Sequence, residues 1–151
     1  MSGYDFANSH LYLSTADGIV FDLDIRPSIT IIHGDSGTGK TLLCSLISEA
    51  KRTPNGEALG IVGVNNVFIA EDKKAVQEAF TSENNLIIID YADDILTTED
   101  VEYINHDTLN HYLIFARRAL GFTVTPNYVG EFIREGKTVR IKYMTDIQGW
   151  F

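Results

Sequence analysis

The sequence predicts an α/β fold, a mainly parallel β-sheet flanked by helices, with antiparallel β-hairpins at the N- and C-terminal ends. Three observations carry this reading. The runs Ser28–His33, Leu86–Ile89 and Tyr112–Ala116 are almost unbroken in hydrophobicity, as strands buried on both faces are. Segments with apolar residues at helical spacing stand between them. Near each end of the chain, apolar and polar residues alternate strictly, which marks strands with one wet face.

Each element follows from its local pattern. His10–Ser14 reads as a short strand. The turn Ala16-Asp17-Gly18 leads into a second strand, where Ile19, Phe21, Leu23 and Ile25 alternate with Val20, Asp22 and Asp24. Ser28–His33 is β-branched and stops at a glycine. From Lys40 the period changes: Leu42, Leu43, Leu46, Ile47 and Ala50 recur at helical spacing to about Lys51. Pro54-Asn55-Gly56 is a turn and Asn66–Ala70 a further strand. Glu71–Phe80 reads as a helix with Ala75, Val76, Ala79 and Phe80 inward. Leu86–Ile89, the most apolar stretch, predicts a central strand, and Thr98–Ile104 a helix leading to the strand Tyr112–Ala116. Tyr128–Arg134 and Thr138–Met144 flank Glu135-Gly136 as a closing hairpin. No internal repeat or low-complexity linker interrupts the chain, so residues 1–151 are expected to form a single domain.

Composition narrows the function classes. With 151 residues, 44 % hydrophobic and 22 % charged, the chain is neither disordered nor fibrous. Twelve Lys and Arg against 21 Asp and Glu give a net charge of −9, which disfavours non-specific binding to nucleic acid or anionic membranes. The single cysteine, Cys44, allows no internal disulfide and is expected to be buried and inert in its leucine-rich surroundings. Neither a basic and apolar leader nor an apolar run of ~18 residues is present, so a cytoplasmic protein is expected. The four histidines show no zinc-ligand spacing, and the aromatic pair Trp150-Phe151 is expected to dock on the sheet or on a partner.

Charge is segregated. Residues 78–107 carry nine acids and no Lys or Arg, whereas 117–142 carry six cations and two acids. The pattern predicts an acidic solvated helix beside a basic hairpin, or a homo-oligomer in which the acidic face of one copy meets the basic face of another.

The most informative segment is Gly34-Asp35-Ser36-Gly37-Thr38-Gly39-Lys40-Thr41, a full match to G-x-x-x-x-G-K-[ST]. A predicted strand runs directly in and a predicted helix directly out, the placement the chemistry requires. Three glycines let the backbone turn successive N–H groups toward one anion. The helix that follows adds its free N-terminal N–H groups and the positive end of its dipole. Lys40 would reach the β- and γ-phosphates of ATP, and the Thr41 hydroxyl would ligate Mg²⁺.

On these residues the chain resembles the P-loop NTPase superfamily. In that superfamily the Walker B strand is an apolar run ending in Asp, which Leu86-Ile87-Ile88-Ile89-Asp90 matches; the resemblance implies that Asp90 helps Thr41 to hold Mg²⁺. The strand Asn66–Ala70, between the P-loop helix and Walker B, is similar to the additional-strand division, which includes the ABC and RecA-like ATPases, and implies a three-layer sheet. The ABC likeness stops early: Tyr91 stands where those ATPases place Glu, and the L-S-G-G-Q signature is absent. What survives implies an aromatic of the N-terminal hairpin stacked on adenine, with Tyr12 the best placed and Tyr4 and Phe6 behind it. The RecA-like pattern implies that Glu71 orients the attacking water, with Asp93 or Asp94 as the rival base. At the sensor position, after the strand Tyr112–Ala116, Arg117 and Arg118 would stabilise transition-state charge in cis or in a neighbouring copy. No [NT]-K-x-D motif supports guanine, and no arginine-rich lid supports a small-molecule kinase. The expectation is a slow Mg²⁺-dependent ATPase completed by self-association or a partner, or else a non-hydrolysing nucleotide-gated interaction protein, with a small-molecule kinase ranked last.

Overall fold

A computed structural model of the protein describes residues 3–15, 17–33, 39–52 and 64–144. In chain order the elements are β1 (Gly3–Asp5), β2 (His10–Ser14), β3 (Val20–Asp24), β4 (Ile29–His33), α1 (Lys40–Arg52), β5 (Val67–Ala70), α2 (Lys73–Ala79), β6 (Leu86–Ile89), α3 (Ala92–Ile95), α4 (Thr98–His106), β7 (His111–Ala116), β8 (Val129–Glu135) and β9 (Thr138–Tyr143). The strands form one sheet in the order β1-β2-β3-β9-β8-β4-β7-β6-β5. From β8 to β5 every pairing is parallel. Parallel neighbours need crossover connections. Helix α1 lies in the connection from β4 to β5, α2 in that from β5 to β6, and α3 with α4 in that from β6 to β7.

Burial explains the composition of each strand. β6 and β7 are buried along their whole length, because helices or wing strands cover both faces. β2 and β3 alternate between buried and part-exposed positions, Leu11, Leu13, Phe21 and Leu23 pointing inward. Two cores result. On one face, Val76 and Ala79 of α2, Ala92 of α3 and Val101 and Ile104 of α4 pack on Ile31, Ile87, Ile89 and Ile114. On the other, Leu43, Cys44 and Ile47 of α1 pack between Ile32, Ile88 and Leu113 of the parallel half and Leu11, Phe21 and Leu23 of the N-terminal strands. Each such side chain contributes about 1.5–3 kcal/mol by leaving water.

Two features differ from expectation. The terminal hairpins form as read, β2 with β3 and β8 with β9, but they are not separate appendages. β3 pairs in parallel with β9, so both hairpins join into one wing that continues the sheet. A further strand, β1, extends that wing, and the sheet curls far enough for its ends to meet. The Asn66 side-chain amide, just before β5, donates to the Tyr4 carbonyl at 2.8 Å. The Tyr4 hydroxyl is hydrogen-bonded to Nδ1 of His111, whose ring stacks on Phe6 at 3.9 Å. An additional strand does stand between β4 and β6, but it is β7, while β5 lies at the edge.

Smaller corrections concern helix ends. The predicted helix at Glu71 begins at Lys73, because the Asp72 side chain caps it by accepting the Ala75 N–H at 2.8 Å. Helix α4 runs on to His106 and starts with a capping box between Thr97 and Asp100. The turn at Pro54 and the pair Trp150-Phe151 lie outside the described residues, as does Ala16 of the first turn. Among the described residues no helix is long and apolar enough to cross a membrane.

Candidate nucleotide site

Every strand of the parallel half points its C-terminal end the same way, and the site lies along that edge. Gly34 to Thr38 lie outside the described residues, so the observed site begins at Gly39. Gly39 has φ +142, and a Cβ there would lie 3.3 Å from Cγ1 of Val139 and 3.5 Å from Cε1 of Phe21. A side chain would therefore strain the backbone and press on β9 and β3, which glycine avoids. Lys40 and Thr41 open α1 immediately afterwards.

Register places the other groups. Ala70 pairs with Ile89, which brings Glu71 beside Asp90, and the Asp90 N–H donates to the Ala70 carbonyl at 3.0 Å. The Asp90 side chain, 8 % exposed, lies 3.4 Å from the Lys40 ammonium, although 50 positions separate the two in sequence. Thr41, Glu71, Asp90 and Tyr91 line one cleft of about 690 Å³, which continues along α1 past Ser45 and Ser48 to Lys51 and Phe68. Burial pushes the Lys51 ammonium below its ordinary pKa.

On the far side of Lys40 lies a smaller cavity of about 190 Å³, lined by Lys40, Tyr91, Asp93, Asp94, Phe115, Ala116 and Arg117. Asp93 is tied to the arginines: its Oδ2 accepts the Arg117 N–H at 2.8 Å, and its two oxygens lie 3.7 and 3.6 Å from Nε of Arg117 and Arg118. Asp90, Glu71, Thr41 and Lys40 are thus gathered at one place, with Asp93 and Arg117 adjoining.

Tyr12 is not gathered there. It alternates with the inward Leu11 and Leu13, so it faces away from α1, and its ring lies beside that of His10. Tyr4 and Phe6 are occupied by His111. Adenine stacking by these three aromatics therefore has no support in their positions. Cys44 is buried, and burial pushes its thiol up to about 12, so it stays protonated. The segregated charges are partly consumed within the chain. Arg140 lies 2.5 Å from Asp22, while Asp107 accepts from the Tyr112 hydroxyl at 2.5 Å and from Asn110 at 3.0 Å.

Sequence reasoning passed over Tyr91 except as a departure. It adopts a left-handed backbone (φ 57, ψ 34), its ring centroid is 5.9 Å from the Lys40 ammonium, and that of Phe115 is 5.6 Å from the same ammonium. The one available signal was a large aromatic directly after the apolar run that ends in Asp90.

The oxygen donors of Thr41 and Asp90 on one cleft suit a hard cation such as Mg²⁺, which takes one or two protein ligands and leaves its other positions to water and phosphate. Among known families, the model of "ATPase family associated with various cellular activities (AAA)" matches residues 30–117, more than half of the chain. The match runs from within β4 through the P-loop, β5 and β6 to the residue after β7. No curated protein and no solved structure matches.

Proposed function

Because the chain belongs to the AAA family of ATPases, and so to the P-loop NTPase superfamily, we propose that it binds ATP with Mg²⁺ at the C-terminal edge of the parallel strands and hydrolyses it slowly. The supporting observation is the convergence of Lys40, Thr41 and Asp90 on one point, with Lys40 and Asp90 3.4 Å apart. Lys40 would exchange its contact with Asp90 for phosphate oxygens, and the backbone of Gly34–Thr41 would supply N–H donors to the same anion. Thr41 and Asp90 would hold Mg²⁺, which when bound neutralises charge developing on the transferred phosphoryl group. Glu71 shares the cleft with Thr41 and Asp90 and orients the attacking water. Asp93 is the weaker base, since Arg117 and Arg118 engage its carboxylate. Arg117 lines the small cavity with Lys40, from which it would steady the γ-phosphate. A cytoplasmic setting as a single domain agrees with the lone cysteine.

Thermal-shift measurements test the binding. Mg·ATP at a hundred times its Kd should stabilise the fold by about 2.7 kcal/mol, raising Tm. Lys40→Met should remove that rise. No shift with any nucleoside triphosphate would end the proposal. For hydrolysis, Glu71→Gln should slow single-turnover phosphate release by roughly 10²–10⁴-fold; an unchanged rate would remove Glu71 from the mechanism.

Tyr91, in the position where ABC ATPases place Glu, favours a second reading, a nucleotide-gated interaction protein with negligible turnover. Members of the family often oligomerise. Assembly on addition of a non-hydrolysable ATP analogue, without phosphate release from ATP, would select the switch. The acidic 78–107 and basic 117–142 segments are the faces to mutate.

A further inference from the structure

We propose that Tyr91 is a positioning residue that parks Lys40 on Asp90, so that a triphosphate must draw the lysine out of an aromatic cradle in order to bind. This rests on the nucleotide-binding reading and adds to it a residue that no P-loop pattern includes.

Three observations converge. First, Tyr91 holds φ 57 and ψ 34, a left-handed conformation that bulky side chains avoid. Such strain persists only where the surroundings impose it. Second, the same turn fixes the acid: the Tyr91 N–H donates to Oδ1 of Asp90 at 2.8 Å, and this is the oxygen that lies 3.4 Å from the Lys40 ammonium. Third, although 55 % exposed, the Tyr91 ring is not idle. It lines both cavities and places its ring centroid 5.9 Å from the Lys40 ammonium, with the Phe115 ring 5.6 Å from the same group. Lys40 is thus held by one carboxylate and two aromatic faces, an arrangement that attracts a cation by charge and by ring quadrupole together.

The cradle stabilises the ligand-free position of Lys40, and that stabilisation opposes binding of any ligand that needs the ammonium elsewhere. Removing the ring should therefore tighten binding of phosphate chains that reach Lys40. Tyr91→Gly and Tyr91→Asn both suit the left-handed turn, so at least one is expected to fold. Tyr91→Phe keeps the ring face and removes only the hydroxyl.

The experiment is a titration of the full chain with Mg·ATP, comparing parent, Tyr91→Gly, Tyr91→Asn, Tyr91→Phe and Lys40→Met. Tyr91→Gly and Tyr91→Asn should lower Kd by about two- to fivefold, the factor a surface cation–π contact corresponds to. Tyr91→Phe, which keeps the ring face, should match the parent; a merely structural role for the turn would not tighten binding in the Gly and Asn variants. Unchanged or weaker binding by both Gly and Asn variants, with binding lost in Lys40→Met, would overturn the cradle and leave the nucleotide site standing. Tightening by Tyr91→Phe as large as by Tyr91→Gly would also overturn it, since the hydroxyl and not the ring would be responsible. Parent-like binding by Lys40→Met would overturn the nucleotide reading itself, and the cradle with it.

Discussion

The parallel half of the sheet and the wing formed by β1–β3 with β8 and β9 are built by different rules. In the parallel half, β6 and β7 are buried throughout, and the strand ends deliver Glu71, Asp90 and Arg117 to one edge. Wing strands β2 and β3 bury only alternate residues and line no part of the two cavities beside Lys40. The family match divides the molecule along nearly the same boundary: it ends at residue 117, before β8, and starts at residue 30, after β3. The groups gathered at the candidate site thus lie within the matched segment, and the wing strands, which pack on α1, lie outside it. The two regions touch where it matters most, at Gly39 against Phe21 and Val139.

The sharpest way to break this division is a buried wing residue that lines neither cavity. Phe21 is fully buried, and Phe21→Ala should cost about 3–5 kcal/mol in urea unfolding while the protein still unfolds in one transition. Two transitions would show the wing to be an independent attachment. A smaller effect is expected within the wing at Gly130. A Cβ there would lie 2.8 Å from both Cγ2 of Ile141 and the Lys142 carbonyl oxygen, so Gly130→Ala should cost about 1–3 kcal/mol and leave Mg·ATP affinity unchanged. Altered affinity would mean that the wing tunes the site.

The smallest effect concerns the seam. Burial lowers the pKa of His111, so its folded value lies below the unfolded value of about 6.5. Protonation then favours the unfolded chain. The stability is fully present above about pH 6.5 and falls as pH drops from there toward the folded value, by less than about 1 kcal/mol over the first unit. His111→Asn should flatten the pH dependence of Tm between pH 7 and 5, whatever its effect on Tm itself. An unchanged slope would place the titrating group elsewhere. Asp22, lowered chiefly by its hydrogen bond to His10, contributes only in a more acidic range.

Much of this was legible in the sequence because it is local. The apolar runs of β4, β6 and β7 need neighbours on both faces wherever they lie, and Gly39-Lys40-Thr41 with Asp90 marks a site by residue type alone. The terminal hairpins were legible from alternation. What could not be read was long-range. The parallel pairing of Val20 with Thr138 and of Phe21 with Val139 leaves no periodic trace, since any half-buried strand could take that place. Tyr12 shows the same limit: alternation told which face it shared with His10 but not which way that face pointed. The turn at Tyr91 was hidden because propensity argues against a tyrosine there, and the fold overrides propensity at the site.

The curl that brings Asn66 to Tyr4 has one more effect. An open nine-stranded sheet would offer two rows of bare amides and carbonyls on which foreign chains could align. Here the outermost strands have only three and four residues, and the Asn66 amide, just before one of them, bonds the Tyr4 carbonyl of the other. Little template is left for fibril growth, a protection usually secured by charged rims or full barrel closure.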